Sequence, residues 1–220
     1  MTRENRRKAE SARPQIVAVI GSRADLDGAL RMRTPPDLFE LRLDALPNLE
    51  HAVAAKLRAP FIATARHPRE GGARNLSGRE RRALLMRFGA SAKYVDTELR
   101  SLRWYAGLQQ FRSIVSFHDF ERTPPLPILR QKLTQARGAD AAVFKIATRV
   151  DNESQLERLL QFFDEALRVM PVAAMGTGAL GRDSRIELAR RGSILNYGYI
   201  TRPQAAGQLS VTELRRLLRR

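Results

Sequence analysis

Short apolar segments rich in β-branched residues recur along the chain at intervals. Eight of them can be delimited, at residues 16–20, 38–43, 61–64, 94–99, 113–117, 141–146, 171–175 and 194–197. The segments between them have helical periodicity, with apolar residues three or four positions apart. Strands that alternate with helices in this way are typical of a parallel sheet covered by helices.

Three of the helical segments carry start signals. Asn152 is placed to cap the clearest of them. The apolar face of that helix is formed by Leu156, Leu159, Leu160, Phe163 and Leu167. Ser77 with Glu80, and Ser210 with Glu213, have the spacing of capping boxes. We therefore predict helices that begin at these three places.

Eight strand–helix units in a chain of 220 residues predict an α/β protein, a single (β/α)8 TIM barrel. A doubly wound open sheet is the alternative. The turn after the first strand, at residues 21–24 (GSRA), does not favour it, because it lacks the glycine pattern that binds dinucleotide phosphates. We predict that residues 14–220 form the catalytic barrel and that residues 1–13 are a disordered basic tail.

Composition limits the possible classes of protein. The net charge is +16, but the basic residues are spread along the chain and cluster only at its two ends. No recognition helix, zinc finger or aromatic platform accompanies them, so we do not expect nucleic-acid binding as the main role. There is no cysteine, no membrane-spanning apolar run and no signal-peptide pattern at the N-terminus. These features predict a cytoplasmic protein.

Unusual polar residues follow, or end, seven of the eight predicted strands. They include Glu40, Arg42, Arg66, Asp96, Glu98, His118, Lys145, Arg185 and Gln208. Each has a structural explanation on its own, such as an ion pair between Glu40 and Arg42, or a hydrogen-bonded core histidine at His118. In a barrel, however, catalytic groups lie at the C-terminal ends of the strands. The convergence of these residues at one end therefore predicts an active site.

Lys145 is the most informative of these residues. Only five of the 39 basic residues are lysines, yet one of them ends an apolar strand. Unlike arginine, lysine can lose a proton, and its neutral amine attacks carbonyl groups to form a Schiff base. The alternative is a strand-end lysine whose ammonium group reaches solvent.

The other polar residues suit this chemistry. A Schiff base acidifies the carbon next to it, and a histidine such as His118 can remove that proton and later protonate a leaving hydroxyl. Glu70 could orient the histidine, and arginines could hold a substrate carboxylate. The three histidines lack metal-ligand spacing, and the lysine already acts as an electron sink. We therefore predict an enzyme that needs no metal and no cofactor.

Six motifs in order make the chain resemble the type I 3-dehydroquinate dehydratase family. They lie at residues 40–44 (ELRLD), 64–66 (TAR) with 70–72 (EGG), 96–98 (DTE), 116–120 (SFHDF), 145–147 (KIA), and 175–185 followed by 207–208 (GQ). The resemblance implies a (β/α)8 barrel of the shikimate pathway, a homodimer, that works without a cofactor. The small-molecule substrate would be 3-dehydroquinate.

The resemblance also implies a role for each matching residue. Lys145 would form the imine with the ketone of 3-dehydroquinate. His118 would abstract the neighbouring proton and help to expel the hydroxyl as water, giving 3-dehydroshikimate by syn elimination. Glu70 would pair with His118, and Arg185 would bind the substrate carboxylate. Binding of ring hydroxyls and ordering of the last loop would fall to Glu40, Arg42, Arg66 and Gln208.

The chain departs from the family pattern at three places. The last loop reads QAAGQ at residues 204–208 instead of the usual SAPGQ, so Gln204 replaces a serine and can still bind substrate by a hydrogen bond. Ala206 replaces a proline, which predicts a less rigid loop. Ala18 replaces a small hydroxyl residue. The N-terminal tail is also too short and too charged to supply the hairpin that closes many family barrels.

Two alternatives to this function are kept open. One is a different Schiff-base barrel enzyme, such as an aldolase that acts on another hydroxy-ketone acid. The other is a catalytically inactive barrel that binds RNA through its basic surface.

Overall fold

The structure of the protein, a computed structural model, describes residues 13–104 and 107–218. Residues 1–12 hold most of the predicted basic tail and lie outside the described residues. The last residue of that tail, Arg13, pairs with Asp37. No helix among the described residues is long and apolar enough to cross a membrane.

Eight strands alternate with helical segments. The strands are β1 (Gln15–Ile20), β2 (Leu38–Arg42), β3 (Phe61–Thr64), β4 (Tyr94–Glu98), β5 (Ser113–Asp119), β6 (Val143–Arg149), β7 (Val172–Thr177) and β8 (Leu195–Tyr199). The α-helices are α1 (Arg23–Arg31), α2 (His51–Ala54), α3 (Gly78–Gly89), α4 (Leu126–Gly138), α5 (Glu153–Leu167), α6 (Gly181–Arg190) and α7 (Val211–Leu218). The described residues also include three 3₁₀ helices, at Pro68–Glu70, Leu99–Trp104 and Leu108–Gln110.

All strands are parallel and follow the order β7-β6-β5-β4-β3-β2-β1-β8. Because β1 pairs with both β2 and β8, the sheet curls into a nearly closed barrel. β7 and β8 share no ladder among the described residues. At their N-terminal ends, the Ile194 amide donates to the Val172 carbonyl at 3.0 Å. We call this junction the seam. The predicted (β/α)8 barrel is confirmed, and the open sheet is wrong.

The three predicted helix starts are confirmed. The Asn152 side chain accepts from the Gln155 amide at 3.0 Å and caps α5. Ser77 and Glu80 form a capping box before α3. Before α7, the Ser210 amide donates to Glu213 and the Glu213 amide donates back to the Ser210 hydroxyl. Such caps satisfy amides that have no partner within the helix, typically worth about 1 kcal/mol.

Strand residues alternate between two environments. Outward side chains pack beneath the helices, as Phe144 does against Phe162 of α5. Ala18 also faces outward, into the layer beneath the helices, whereas Val17 and Val19 face the barrel interior. The Ala18 departure therefore lies outside the barrel interior.

The interior of the barrel changes character along its axis. Its apolar part includes Val17, Leu38, Ile62, Tyr94, Ile114, Val143 and Leu195. Two residues farther along several of these strands, the inward positions become Glu40, Thr64, Asp96, Ser116 and Lys145. The apolar part supplies the burial that stabilises the barrel, about 1.5–3 kcal/mol for each large side chain. The charged layer therefore lies toward the C-terminal ends of the strands.

Candidate active site

Lys145 lies at the centre of the charged layer. Lys145 is only 3% exposed, so the alternative prediction, a lysine whose ammonium group reaches solvent, is wrong. The Nζ atom donates to Glu40 Oε1 and to Asp96 Oδ2, each at 2.9 Å. It also lies 4.0 Å from the centroid of the Tyr197 ring, within range of a cation–π interaction. The amine is thus fixed by groups from three other strands.

Asp96 connects Lys145 with Arg66. It accepts from Lys145, from Arg66 Nη2 at 3.0 Å and from the Ser116 hydroxyl. Burial alone would raise the pKa of this carboxyl group, but Arg66 and Lys145 outweigh burial and hold the pKa well below its usual value. Asp96 is therefore an ionised anchor rather than a proton donor.

Arg66 lies among carboxylates rather than open to a ligand. Besides Asp96, its Nη1 atom contacts Glu98 Oε1 at 3.4 Å and donates to the Ser116 hydroxyl at 3.0 Å. Burial alone would lower the pKa of Arg66, but the charges of Asp96, Glu98 and Glu40 outweigh burial and raise the pKa above its usual value. Both terminal nitrogens have protein partners, so a role for Arg66 in holding a ring hydroxyl stays a prediction.

His118 and Glu70 form a buried pair. The distance between His118 Nδ1 and Glu70 Oε2 is 2.8 Å. Burial, together with Arg66 and Lys145, lowers the pKa of His118 well below its usual value, so the imidazole is neutral near pH 7. Arg66 Nη1 is farther from the same nitrogen, at 3.4 Å. We assign the ring proton to Nδ1, donated to Glu70, which leaves the lone pair of Nε2 available as a base.

Glu70 is a buried carboxylate whose pKa is raised toward neutrality. Burial, and next the nearby charge of Glu98, raise its pKa to about 7, while Arg66 and Arg100 oppose the rise. Its second oxygen, Oε1, pairs with Arg100 Nε at 2.9 Å. Glu70 therefore changes protonation in the same pH range in which a neutral-pH enzyme works.

The loop that carries Glu70 is held by Asp44. This buried carboxylate accepts from the Arg66 amide at 3.0 Å and from the Ala73 amide at 2.8 Å. It also binds two nitrogens of Arg42, whose Nη2 donates to the Gly71 carbonyl at 2.8 Å. Gly71 has a φ of 82°, a left-handed conformation that favours glycine. The EGG motif thus forms a tight turn beside the site, and Arg42 helps to hold it.

Arg185, in α6, is a buried cation without a counter-ion. Its Nε donates to the Gly176 carbonyl at 2.9 Å, and no carboxylate among the described residues pairs with it. The residue is 8% exposed, and burial lowers its pKa to about 10. It lines a small cavity at the seam together with Met175 and Tyr197. An unpaired guanidinium next to the barrel interior suits a carboxylate ligand.

Gln204 and Gln208 lie in the loop after β8. The Gln204 amide donates to Gln208 Oε1 at 2.7 Å. A Cβ atom placed on Gly21 would lie 2.3 Å from Gln204 Nε2, so this side chain packs directly over the end of β1. At the start of the loop, Thr201 donates through its amide and hydroxyl to the buried Asp25. The loop is thus attached to the β1 side of the barrel mouth.

The predicted site residues fall into two groups, one whose members contact each other directly and one whose members, among the described residues, form no hydrogen bond or ion pair with the first. Direct contacts link one set, which consists of Lys145, Glu40, Arg66, His118 and Glu70. Arg185, Gln204 and Gln208 make no hydrogen bond or ion pair with that set among the described residues. Sequence reasoning gave no role to Asp96, although Asp96 was among the polar residues of the predicted strands. It missed Tyr197, whose inward phase in β8 was a usable signal, and Arg100, for which there was no signal.

The arrangement has a defined chemical capacity. It provides an amine nucleophile, a neutral histidine with a carboxylate partner, and carboxylates that stabilise positive charge at the amine. Among the described residues, no group of three or more His, Asp or Glu side chains has an arrangement that could hold a metal ion.

Comparison with known proteins identifies the family. The family model described as type I 3-dehydroquinase matches residues 6–220. The chain belongs to this family. It is 31% identical over 214 residues to a 3-dehydroquinate dehydratase of Methanocella arvoryzae, with 91% of this chain and 94% of that protein covered. A 3-dehydroquinate dehydratase of Methanothrix thermoacetophila is also 31% identical, over 210 residues, with 94% and 91% covered.

Solved structures of the family agree with the fold. The crystal structure of 3-dehydroquinate dehydratase from Geobacillus kaustophilus has a TM-score of 0.79 and 26% identity, and the match covers 93% of this chain and 90% of that one. The predicted family membership is therefore confirmed, and the chain is an enzyme of the hydro-lyase class, as family members are.

Proposed function

We propose that the chain is a 3-dehydroquinate dehydratase that removes water from 3-dehydroquinate through an imine on Lys145. The observation that carries the proposal is a buried lysine amine on β6, next to β5, which carries a neutral histidine paired with a carboxylate. The names of the relatives support the same substrate.

In the first step, Lys145 Nζ attacks the ketone carbon of the substrate. Of the three protons of the Nζ ammonium group, two leave with the carbonyl oxygen as water and one stays on the nitrogen of the C=N bond. Glu40 and Asp96, each 2.9 Å from Nζ in the free enzyme, lie where they stabilise the positive charge of this iminium. The Tyr197 ring adds to that stabilisation through its negative face.

In the second step, His118 acts as base and then as acid. Its Nε2 takes a proton from the carbon next to the iminium, and the electron pair moves toward the nitrogen. The resulting imidazolium, held through Nδ1 by Glu70, gives the proton to the leaving hydroxyl. A C=C bond forms and water leaves. Hydrolysis of the imine then consumes one water, frees Lys145 and releases 3-dehydroshikimate, so the net loss is one water.

Substrate binding follows from the remaining polar residues. Arg185 binds the carboxylate, because its charge has no counter-ion among the residues that the structure describes. The ring hydroxyls are held by the predicted set of Glu40, Arg42, Arg66 and Gln208. Gln204, which packs over the end of β1, closes the mouth together with Gln208.

The deciding experiment is borohydride trapping. The protein is incubated with 3-dehydroquinate, reduced, and examined by intact mass and by mapping of the modified peptide. We expect a mass increase of one ligand on Lys145, and a rise in ultraviolet absorbance from the conjugated enone in unreduced samples. The matched control is Lys145→Arg, which keeps a cation between Glu40 and Asp96 but has no nucleophilic amine.

The other outcomes of the trapping experiment separate the aldolase alternative from failure of the proposal. An adduct that forms with other hydroxy-ketone acids but gives no enone with 3-dehydroquinate would favour the aldolase alternative. No adduct and no enone would contradict the proposal, and the altered last loop at Gln204 and Ala206 would then be tested first.

We propose further that the enzyme is cytoplasmic, as its composition predicts, and that it is a homodimer of the shikimate pathway, as the family resemblance implies. Light scattering on the purified chain tests the dimer. Growth without aromatic amino acids, in a host that lacks its own dehydratase, tests the pathway.

A further inference from the structure

The carboxylate of Glu70 has two protein partners, and the mechanism above uses only one of them. Oε2 lies against His118 Nδ1 at 2.8 Å, and Oε1 pairs with Arg100 Nε at 2.9 Å. Arg100 belongs to the 3₁₀ helix Leu99–Trp104, which follows β4 directly. Its side chain is 42% exposed, but its guanidinium reaches inward to a buried carboxylate. A half-exposed arginine is thus attached to the partner of the proposed base.

We propose that Arg100 is a positioning residue that keeps Glu70 ionised and directed at His118, and so sets the lowest pH at which the enzyme works. This inference rests on the proposed function and deepens it. Arg100 contacts Glu70 and would act on His118 only through that carboxylate.

The surroundings of Glu70 explain why it requires a cation. The charged and titratable side chains that face it are His118 from β5, Arg66 from the end of β3, Asp96 and Glu98 from β4, and Arg100. Burial disfavours the ionised form first, and the two β4 carboxylates disfavour it further. Arg66 favours the ionised form of Glu70, but it already forms ion pairs with both Asp96 and Glu98. Arg100 is the cation in direct contact with Glu70.

The protonation of Glu70 decides which nitrogen of His118 is the base. An ionised Glu70 accepts a proton from Nδ1 and leaves the lone pair on Nε2 free. A protonated Glu70 donates to Nδ1, so the ring proton must then lie on Nε2, and the base is lost. Because the two groups share one hydrogen bond, they titrate as a pair, and the pair loses activity when it gains one proton.

The test is the pH profile of kcat/KM for wild type and Arg100→Ala. Loss of a contacting cation that is half exposed should move the acidic limb up by about one pH unit. For a limb near pH 7, this corresponds to a loss of about fivefold at pH 7 and almost none at pH 9. Arg100→Gln, which keeps a donor without the charge, should move the limb in the same direction, and Arg100→Lys should restore it.

The matched control is Arg69→Ala. Arg69 is the exposed neighbour of Glu70 in the chain and forms no ion pair with it, so the limb should stay in place. A loss in Arg100→Ala that is equal at every pH, or an unmoved limb, would overturn the inference and leave Arg100 a structural residue.

Borohydride trapping separates this failure from failure of the proposed function. Arg100→Ala should still give the adduct on Lys145, because the imine forms before His118 acts. An unmoved limb in an active enzyme that forms the adduct refutes the role of Arg100 alone. A wild-type protein without adduct or enone refutes the proposed function.

Discussion

Replacing Arg185 by methionine should make the free protein more stable and the enzyme much worse. The substitution keeps most of the chain length and removes a charge that no carboxylate compensates among the described residues. A site that binds an anion must hold such a charge before the anion arrives. The free protein therefore bears a cost that only the bound ligand offsets.

The magnitude follows from the protonation of this residue. Burial lowers the pKa of Arg185 from its ordinary value to about 10. Each pKa unit corresponds to about 1.36 kcal/mol, so the charged form is disfavoured in the folded protein by about 3 kcal/mol. The variant loses the hydrogen bond to the Gly176 carbonyl, worth about 1 kcal/mol. The net gain of about 2 kcal/mol should raise Tm by about 4–8 °C in a chain of this size.

Activity should change in the opposite direction. A guanidinium that holds a carboxylate contributes about 3–4 kcal/mol through two charge-assisted hydrogen bonds, so kcat/KM should fall by about two to three orders of magnitude. The assay combines thermal melts, with and without the product, and initial rates followed by enone absorbance. The product should raise Tm for the wild type and not for the variant.

Arg190→Met is the control for this experiment. Arg190 is exposed in the last turn of the same helix. The Tm and the reaction rate of the Arg190→Met variant should therefore stay close to those of the wild type. The reasoning would be refuted by an Arg185→Met protein that melts lower than wild type and keeps kcat/KM within about threefold, since Arg185 would then be a structural residue and the carboxylate would bind elsewhere.

Three further predictions concern the charged layer and the last loop. Lys145→Arg should fold with nearly unchanged stability and show no turnover. Lys145→Met should lose about 3–5 kcal/mol of unfolding free energy in urea, because Glu40 and Asp96 lose their partner. Equal stability of the two variants would contradict this prediction. The wild-type kcat/KM should fall as pH drops below about 7, because Glu70, whose pKa is about 7, then gains a proton; a flat profile from about pH 5 to pH 9 would contradict the assignment. Gly207→Ala should lower the free energy of unfolding by about 1–3 kcal/mol and raise KM, because the φ of Gly207 is 78° and a Cβ would lie 2.5 Å from a backbone nitrogen of α6. Unchanged denaturation and kinetics would show that the loop adapts.

The fold could be predicted because its signals are local. Apolar strands, helical periodicity and capping residues each occur within a few positions, and together they leave few arrangements other than a barrel. The strand ends were less accurate. β5 continues to Asp119 and β6 to Arg149, beyond the predicted ends at residues 117 and 146. Polar residues there resemble a loop in sequence, but they belong to extended backbone, from which His118 reaches Glu70.

The site could be predicted in its chemistry and less well in its connections. Lys145 and His118 stand out because their residue types are unusual on apolar strands. Arg66 stands out equally, yet the structure engages it with Asp96 and Glu98, because buried carboxylates need a cation nearby. Arg100 could not be found, since its contact with Glu70 depends on the path of a 3₁₀ helix that no local pattern specifies.

The seam between β7 and β8 gives the barrel an unequal resistance to local opening. Elsewhere around the ring, adjacent strands are joined by ladders of backbone hydrogen bonds, whereas the described residues join β7 and β8 by a backbone hydrogen bond only near the strand starts. Strands that lack such bonds separate at a lower free energy, so amide hydrogens along the seam should exchange with solvent before those of β4 to β6. Arg185 lies beside this opening, and an anion bound to it would tie α6 to the ring. Ligand occupancy would then appear as slower exchange confined to one side of the barrel.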